Sequence, residues 1–222
     1  MNERYLEIFL DSLLPLLKAG VAFTIPLAVI SFVLGIILAL FTALARLSNF
    51  TPLVKLAQFY VWVIRGTPLL VQLFIIFYGL PSVGVTLDAF PSAVIGFTLS
   101  VGAYASETIR AAILSIAKGQ WEAAYSLGMT RGQALRRSIL PQAARVAVPT
   151  LSSSFISLVK DTSLAATITV TEMFQKAQQI TAVTYEPLLL YVEAGIFYLL
   201  MSSVLSYGQS RLEKYNDRYH AR

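Results

Sequence analysis

Cysteine is absent from the chain, and its one histidine is His220, two residues from the end. Without thiols there is no disulfide, no thiolate metal site and no cysteine nucleophile. Chemistry that needs a histidine among the core segments is excluded as well. Charge is also scarce: 13% of the 222 residues are charged, where an average soluble domain carries about 25%. So few charges cannot clothe a water-soluble surface on a chain that is 56% hydrophobic. A soluble enzyme, a disordered tail and a disulfide-rich module are disfavoured together, and the outer surface reads as lipid-facing. The chain has no Gly-Lys pair and so no phosphate-binding loop of its own. Its net charge of +5 points to no nucleic acid, because the basic residues form no stripe. They fill the gaps between apolar runs.

A spanning helix needs roughly 20 mostly apolar residues. Five such spans emerge. The first covers 19–45, with Pro26 and Gly35 inside it, where neighbouring helices can cover a weakened backbone. The second is the run 66–87. Pro68 to Leu80 makes only about 20 Å of helix, so this span must start earlier, near Leu56, with a break at Gly66. The third covers 91–114 and contains Glu107 and Arg110. The fourth covers 141–159, and the fifth covers 187–207 with Glu193 inside. The fold class is all-α, a single polytopic membrane domain over 1–222 with about five transmembrane helices.

Five spans put the termini on opposite sides. Arg46, Lys55, Arg65, Lys118, Arg131, Arg136, Arg137, Arg145, Arg211, Lys214, Arg218 and Arg222 fall on one side. Arg4, Lys18 and Lys176 fall on the other. The positive-inside bias makes the first side cytoplasmic, with the N-terminus outside and the C-terminus inside. Residues 1–18 open with Glu3, Arg4, Glu7 and Asp11, a net negative start unlike a signal peptide. Their three-to-four apolar spacing predicts an amphipathic helix on the outer membrane surface. The alternative is an extension of the first span.

The longest charged segment, Leu114 to Arg145, predicts a short helix, a glycine break at Gly128, a second short helix and a proline restart at Pro141. By pattern alone it also reads as an ordinary loop helix on the lipid surface. Its motif is more particular: Glu122-Ala123-Ala124, then Gly128 six residues after the glutamate, then Leu140-Pro141 with the proline thirteen residues further on. This resembles the signature loop of binding-protein-dependent ABC importer permeases. The pattern usually has an isoleucine where this chain has Ser138, with Ile139 beside it. Three more segments resemble polar amino-acid permeases of the histidine/glutamine type, in order and over nearly the whole chain. They are Arg65-Gly66-Thr67-Pro68-Leu69-Leu70, Ala103-Tyr104-Ala105-Ser106-Glu107 to Arg110, and Phe155 to Leu164 around Lys160-Asp161-Thr162-Ser163. The stretches Lys118 to Ala124 and Ile139 to Ala147 are similar to the cystine-transport members.

The resemblance implies a type I ABC importer permease fold and the translocation of a polar amino acid, with cystine a candidate, into the cytoplasm across a bacterial inner membrane. Residues 118–140 would then be the coupling loop, meeting an ATP-binding subunit through Glu122, Ala123, Ala124, Gly128, Leu140 and Pro141. The implied partners are two ATP-binding subunits, an extracytoplasmic solute-binding protein, a second permease subunit (identical or closely related) and membrane lipid. ATP and Mg²⁺ belong on the ATP-binding subunit. This chain is expected to hold no cofactor, no metal and no catalytic residue.

A charge inside a span is costly and faces a partner or a water-filled path. Lys160 and Asp161 lie about 22 Å of helix beyond Arg145. Asp161, Thr162 and Ser163 make a good helix start, so the helix is expected to break there. Lys160 would then attract a substrate carboxylate, and Asp161 an ammonium or a helix end. The alternative is a structural pair that fixes the break. Glu107 is three residues from Arg110, which suggests a local ion pair. The alternative is a cation contact near the inner end of the path, with Tyr104 above it. Glu193 has no partner in its own segment and faces either the bundle interior or the outer edge. Residues 162–185 are too polar to span and read as a partly re-entrant gate followed by an outer surface helix facing the binding protein. Two rival classes remain. A stand-alone channel or secondary carrier would leave the 118–140 loop without a docking role. An intramembrane enzyme would need clustered catalytic groups, whereas Glu107, Asp161 and Glu193 sit on three different spans.

Overall fold

The computed structural model describes residues 3–217; His220, Arg218 and Arg222 lie outside the described residues. The described chain is helical, with no strand. α1 (Glu3–Ala19) runs through a wide π-turn into α2 (Ile25–Arg46). α3 (Thr51–Gly66) is followed by α4 (Leu69–Phe74), which continues to Val83. α5 (Ala89–Ser115) leads to the short α6 (Lys118–Ser126) and α7 (Arg131–Ala134). α8 (Leu140–Asp161), α9 (Met173–Thr184) and α10 (Pro187–Asp217) complete the fold.

Among the described residues three helical stretches are long and apolar enough to cross a membrane: Glu3–Arg46, Ala89–Ser115 and Pro187–Arg211. The pair Thr51–Gly66 and Leu69–Val83 adds a fourth if it is taken as one bent span. The expected span at 141–159 is a helix, α8, but it is not among the helices apolar enough to cross a membrane. Its 22 residues make about 33 Å of helix, yet Gln142, Arg145, Ser152, Ser153, Ser154, Lys160 and Asp161 keep it too polar to be recognised by composition.

α2 and α5 form the most extensive helix pair. The buried face of α2 is nearly all small, with Ala28, Ser31, Gly35, Ala39, Thr42 and Ala43, while Val29, Ile30, Val33, Leu34, Ile37 and Phe41 point outward. This inverts a soluble helix. In lipid, large apolar residues gain little by facing inward, and small ones let backbones approach. α5 answers with Ala93, Gly102, Ala105 and Ser106. A Cβ on Gly35 would stand 2.5 Å from Val101 Cγ1 and 2.6 Å from Val101 Cβ.

Each of three π-turns ends just before a proline. Ile25 N–H donates to Gly20 O ahead of Pro26, Leu80 N–H to Ile75 O ahead of Pro81, and Leu140 N–H to Leu135 O ahead of Pro141. A proline lacks the N–H and crowds the carbonyl four residues back. Widening the preceding turn by one residue reroutes a hydrogen bond around that defect. The expected restart at Pro141 is therefore corrected: the helix runs on from Arg131 to Asp161 and bulges rather than stops. Likewise α1 and α2 are continuous, so the backbone follows the extension reading. The exposed stripe of Leu6, Leu10, Leu14 and Leu17 is nonetheless that of an amphipathic helix.

The break at Gly66 is real and bends the chain by 104°. Thr67 precedes Pro68 and is extended, at φ −122° and ψ 146°, as a residue before proline prefers. The helix itself starts at Thr51 rather than near Leu56. Gln72 plugs the break, its Nε2 donating to Ile64 O at 2.8 Å and Thr67 O at 3.1 Å.

The tight α2–α5 seam predicts that Gly35→Ala lowers stability by about 1–3 kcal/mol through overpacking. Gly195→Ala, where the new Cβ meets nothing within 4 Å, should lower nothing. Thermal melting of the two purified variants in detergent checks the difference.

Candidate functional site

Four regions carry the polar chemistry. The first gathers at Glu107 on α5. Its Oε1 accepts from Arg46 Nη1 at 2.6 Å and from Arg65 Nη1 at 3.2 Å. Its Oε2 accepts from Arg110 Nε at 3.1 Å and lies 3.1 Å from Arg110 Nη2 in the same ion pair. The local pair with Arg110 is present as expected. Arg46 at the end of α2 and Arg65 at the end of α3 join it, and sequence reasoning missed both. Nothing in local spacing could reveal partners 61 and 42 residues away. Arg65 also lies over the Tyr104 ring, 5.3 Å from its centroid. A cation contact for Glu107 would need a free carboxylate, and this one already faces three guanidinium groups.

The second region is the end of α8. Lys160 and Asp161 are both exposed, and no ion pair within 4 Å joins them. The α-helix does end at Asp161 and a new, tighter helix follows, but Asp161 itself stays helical at φ −65° and ψ −20°, so the backbone does not break, and the Asp161 side chain makes no cap. The chain instead tightens into a 3-10 helix, Thr162–Ile168. Thr162 is fully buried, its hydroxyl donating to Val159 O at 2.7 Å. Ser163 donates to Lys160 O at 2.8 Å. Both hydroxyls bind back to their own helix, so the surface that opens here belongs to Lys160 and Asp161.

The third region was not foreseen. After a left-handed turn at Thr169, φ 65°, Glu172 caps α9. Its Oε1 accepts from Gln175 N–H at 2.7 Å, and its Oε2 from Phe174 N–H at 2.9 Å and Tyr198 O–H at 2.6 Å. Burial pushes the Glu172 carboxyl up, while these donors pull it the other way. An acid three residues before a glutamine at a helix start is the signal that could have found it. Nearby, Glu193 is buried and accepts from Ser12 Oγ at 2.6 Å. It therefore faces the interior, where it ties α10 to α1.

The fourth region is the 118–140 segment. Glu122 and Ala123 are exposed on α6, Ala124 is buried, Leu140 is half-buried and Pro141 is exposed. Gly128 breaks the chain at φ 75°, a left-handed turn that glycine makes without strain. Thr130 and Gln133 then form a capping box for α7. Gln142 Nε2 donates to Gln120 Oε1 at 3.0 Å, linking α8 to α6. Arg131 donates to Leu47 O at 2.9 Å and Asn49 Oδ1 at 3.1 Å, linking α7 to the end of α2. A cavity of about 580 Å³ lies between these ends, lined in part by Leu44, Ile113, Trp121 and Arg131.

The structure thus brings Glu107 and Tyr104 together with Arg65. It keeps Lys160 and Asp161 as a separate exposed pair, with no ion pair to the Glu107 group. Among the described residues no cluster of His, Cys, Asp and Glu could hold a metal ion. Glu107→Gln would leave Arg46, Arg65 and Arg110 without their shared counter-charge. The Glu107 side chain is 24% exposed, between the surface and buried limits, so a loss of about 1–3 kcal/mol is expected. Thermal melting of the variant against wild type checks this.

Residues 33–216 match the family described as the binding-protein-dependent transport system inner membrane component. The L-cystine transport system permease protein TcyB of Bacillus subtilis (strain 168) is 56% identical over 96% of this chain and 91% of its own. The arginine transport system permease protein ArtQ of the same organism is 36% identical over 90% of this chain and 92% of its own. A crystal structure of an amino acid ABC transporter with histidines superposes at a TM-score of 0.81, with 34% identity and 95% of each chain covered. The MetNI methionine ABC transporter in an inward-facing form shares the fold, at a TM-score of 0.71 and 18% identity. A helical chain with a bent second span, matched along its length to these proteins, has the type I importer permease fold, and it belongs to the family of binding-protein-dependent transport system inner membrane components.

Proposed function

We propose that this chain is the permease subunit that carries a polar amino acid, L-cystine first among candidates, from a solute-binding protein into the cytoplasm. Membership in the family makes it an inner-membrane importer component that works with ATP-binding and permease partners. The observation that carries the finer reading is the polar set on helix surfaces otherwise given to apolar residues: Lys160, Asp161, Tyr104 and Arg65 all stand exposed. Charges cannot face lipid at that cost, so they line a path shared with a second permease subunit, identical or closely related. Lys160 attracts the substrate carboxylate and Asp161 its ammonium. The level of identity to the L-cystine permease supports cystine over arginine.

The N-terminus lies outside and the C-terminus inside, as the gathering of basic residues on one set of loops requires. α6 is the coupling helix, one on each of two ATP-binding subunits. Exposed Glu122 and Ala123 meet the groove, and buried Ala124 holds α6 to its own chain. ATP and Mg²⁺ bind on those subunits, and hydrolysis occurs there. When the ATP-binding subunits close, α6 moves. Its links through Gln120–Gln142 and Arg131–Leu47 deliver that motion to α8 and α2. α9, outside, presents Gln178, Gln179 and Val183 to the binding protein.

Three outcomes test this. Asp161→Ala should cut substrate uptake while leaving membrane insertion unchanged; wild-type uptake would remove Asp161 from the site. Glu122→Lys should leave the complex hydrolysing ATP without transport, and unchanged coupling would count against the docking role of α6. In competition binding on the cognate binding protein, L-cystine should displace other amino acids, and the reverse ranking would change the substrate.

A further inference from the structure

The Glu107 group holds more positive charge than its own carboxylate can balance. Three guanidinium groups, from Arg46, Arg65 and Arg110, meet one carboxylate. Arg110 takes Oε2 through two nitrogens, and Arg46 takes Oε1 at 2.6 Å with its side chain 15% exposed. These two already satisfy Glu107. Arg65 comes third, sharing Oε1 at 3.2 Å with its side chain 43% exposed. Donors exceed acceptors so far that Arg46 Nε is buried with no partner.

Arg65 is held from a different direction. Its guanidinium lies over the ring of Tyr104, itself 52% exposed. Such stacking orients a cation without using its hydrogen-bond donors, and it leaves the planar fork of Arg65 partly open. A fork of this kind fits a carboxylate better than any other small anion-bearing group of an amino acid. Residue 65 lies in the last turn of α3, one position before the Gly66 break and the 104° bend. Ser115, the inner end of α5, is eight residues beyond Glu107, about 12 Å of helix. This places the group toward the cytoplasmic end of the path, on elements different from the α8 pair.

We propose that Arg65, seated on Tyr104, is a second carboxylate-binding station of the permease, which takes the α-carboxylate of the substrate after it leaves the Lys160–Asp161 pair. The substrate carboxylate competes with Glu107 Oε1 for the Arg65 fork. Arg46 and Arg110 keep Glu107 in place during the exchange, so no charge is stranded. The excess of positive charge favours an anionic group here, and the opposing Glu107 keeps the attraction weak enough for release inward. This inference rests on the amino-acid permease reading. It needs no particular side chain, because every α-amino acid carries the carboxylate.

The test uses the complete complex of permease, ATP-binding subunits and binding protein in proteoliposomes, with radiolabelled L-cystine, L-arginine and L-glutamine each supplied outside. Arg65→Gln should lower the maximal uptake of the transported amino acid by roughly tenfold or more, the scale of losing one charged hydrogen bond. The half-saturating concentration should stay within about twofold, since the binding protein sets capture. Arg65→Lys should recover part of the rate, because the charge remains while the fork is lost. Melting temperature, complex yield and ATP hydrolysis of both variants should stay near wild type. Arg65→Gln uptake at the wild-type rate would overturn the station. So would a fall in uptake that only follows a fall in melting temperature or yield in both variants, which marks a structural strut. Failure of the wild-type complex to carry any of the three amino acids would instead overturn the permease reading, and the station with it.

Discussion

Glu107 is the point on which the charged end of the α2–α5 pair depends. It is the one acid that receives Arg46 from the end of α2, Arg65 from the end of α3, and Arg110 from its own helix. Arginine side chains that point into a membrane protein must find an anion or water. A single carboxylate with two oxygens can serve three forks only if the helices bring them to the same place. That requirement fixes the end of α2 against α5, and the end of α3 lies beside them. The bend at Gly66 and Thr67 follows immediately after Arg65.

The second constraint is the backbone itself. In an apolar surrounding an unpaired N–H or C=O costs several kcal/mol. The chain meets this with small residues and with displaced hydrogen bonds. Gly35 and Gly102 admit Val101, Leu38 and Tyr60 so closely that no Cβ would fit, and the Tyr60 hydroxyl reaches Leu99 O at 2.6 Å. Where prolines interrupt the ladder at 26, 81 and 141, the turn before each widens and the donor finds the carbonyl five residues back. The prolines therefore shape the helices without breaking them. Gln72 does the same service at the true break, using a side chain in place of the missing backbone partners.

Much of this was legible in the sequence, and the reason is periodicity. Apolar runs of membrane length located the helices Ala89–Ser115 and Pro187–Arg211 to within a few residues, whereas the first continues back to Glu3 and α8 is too polar to count; Gly66 and Gly128 marked real breaks because glycine and a pre-proline residue act locally. The motif around Glu122 located a helix–turn–helix of the expected order. What was not legible was tertiary. Arg46 and Arg65 looked like ordinary loop cations, because their partner lies 61 and 42 residues away. Glu193 looked partnerless, because Ser12 is 181 residues away. Pro141 looked like a restart, because the π-turn that absorbs it has no signature beyond the proline itself. Asp161-Thr162-Ser163 looked like a cap, yet the hydroxyls of Thr162 and Ser163 turned back to Val159 O and Lys160 O, the competing bond such residues often make.

The end of α2 joins these threads. Arg46 grips Glu107, and the carbonyl of the next residue, Leu47, receives Arg131 from α7. A cation at a helix C-terminus is favourable in itself, but here two neighbouring residues tie one helix end to two different structures. On one side is the charged group that shares Arg65 with Tyr104. On the other is the segment that follows α6 and leads directly into α8. The segment after α6 and the arginine group therefore meet at one helix end rather than through a chain of flexible loops. The close α2–α5 seam keeps that end from yielding separately, since α2 cannot slide past Val101 without opening the contact at Gly35. The Arg131 contact and the balance of charge at Glu107 therefore share one helix end.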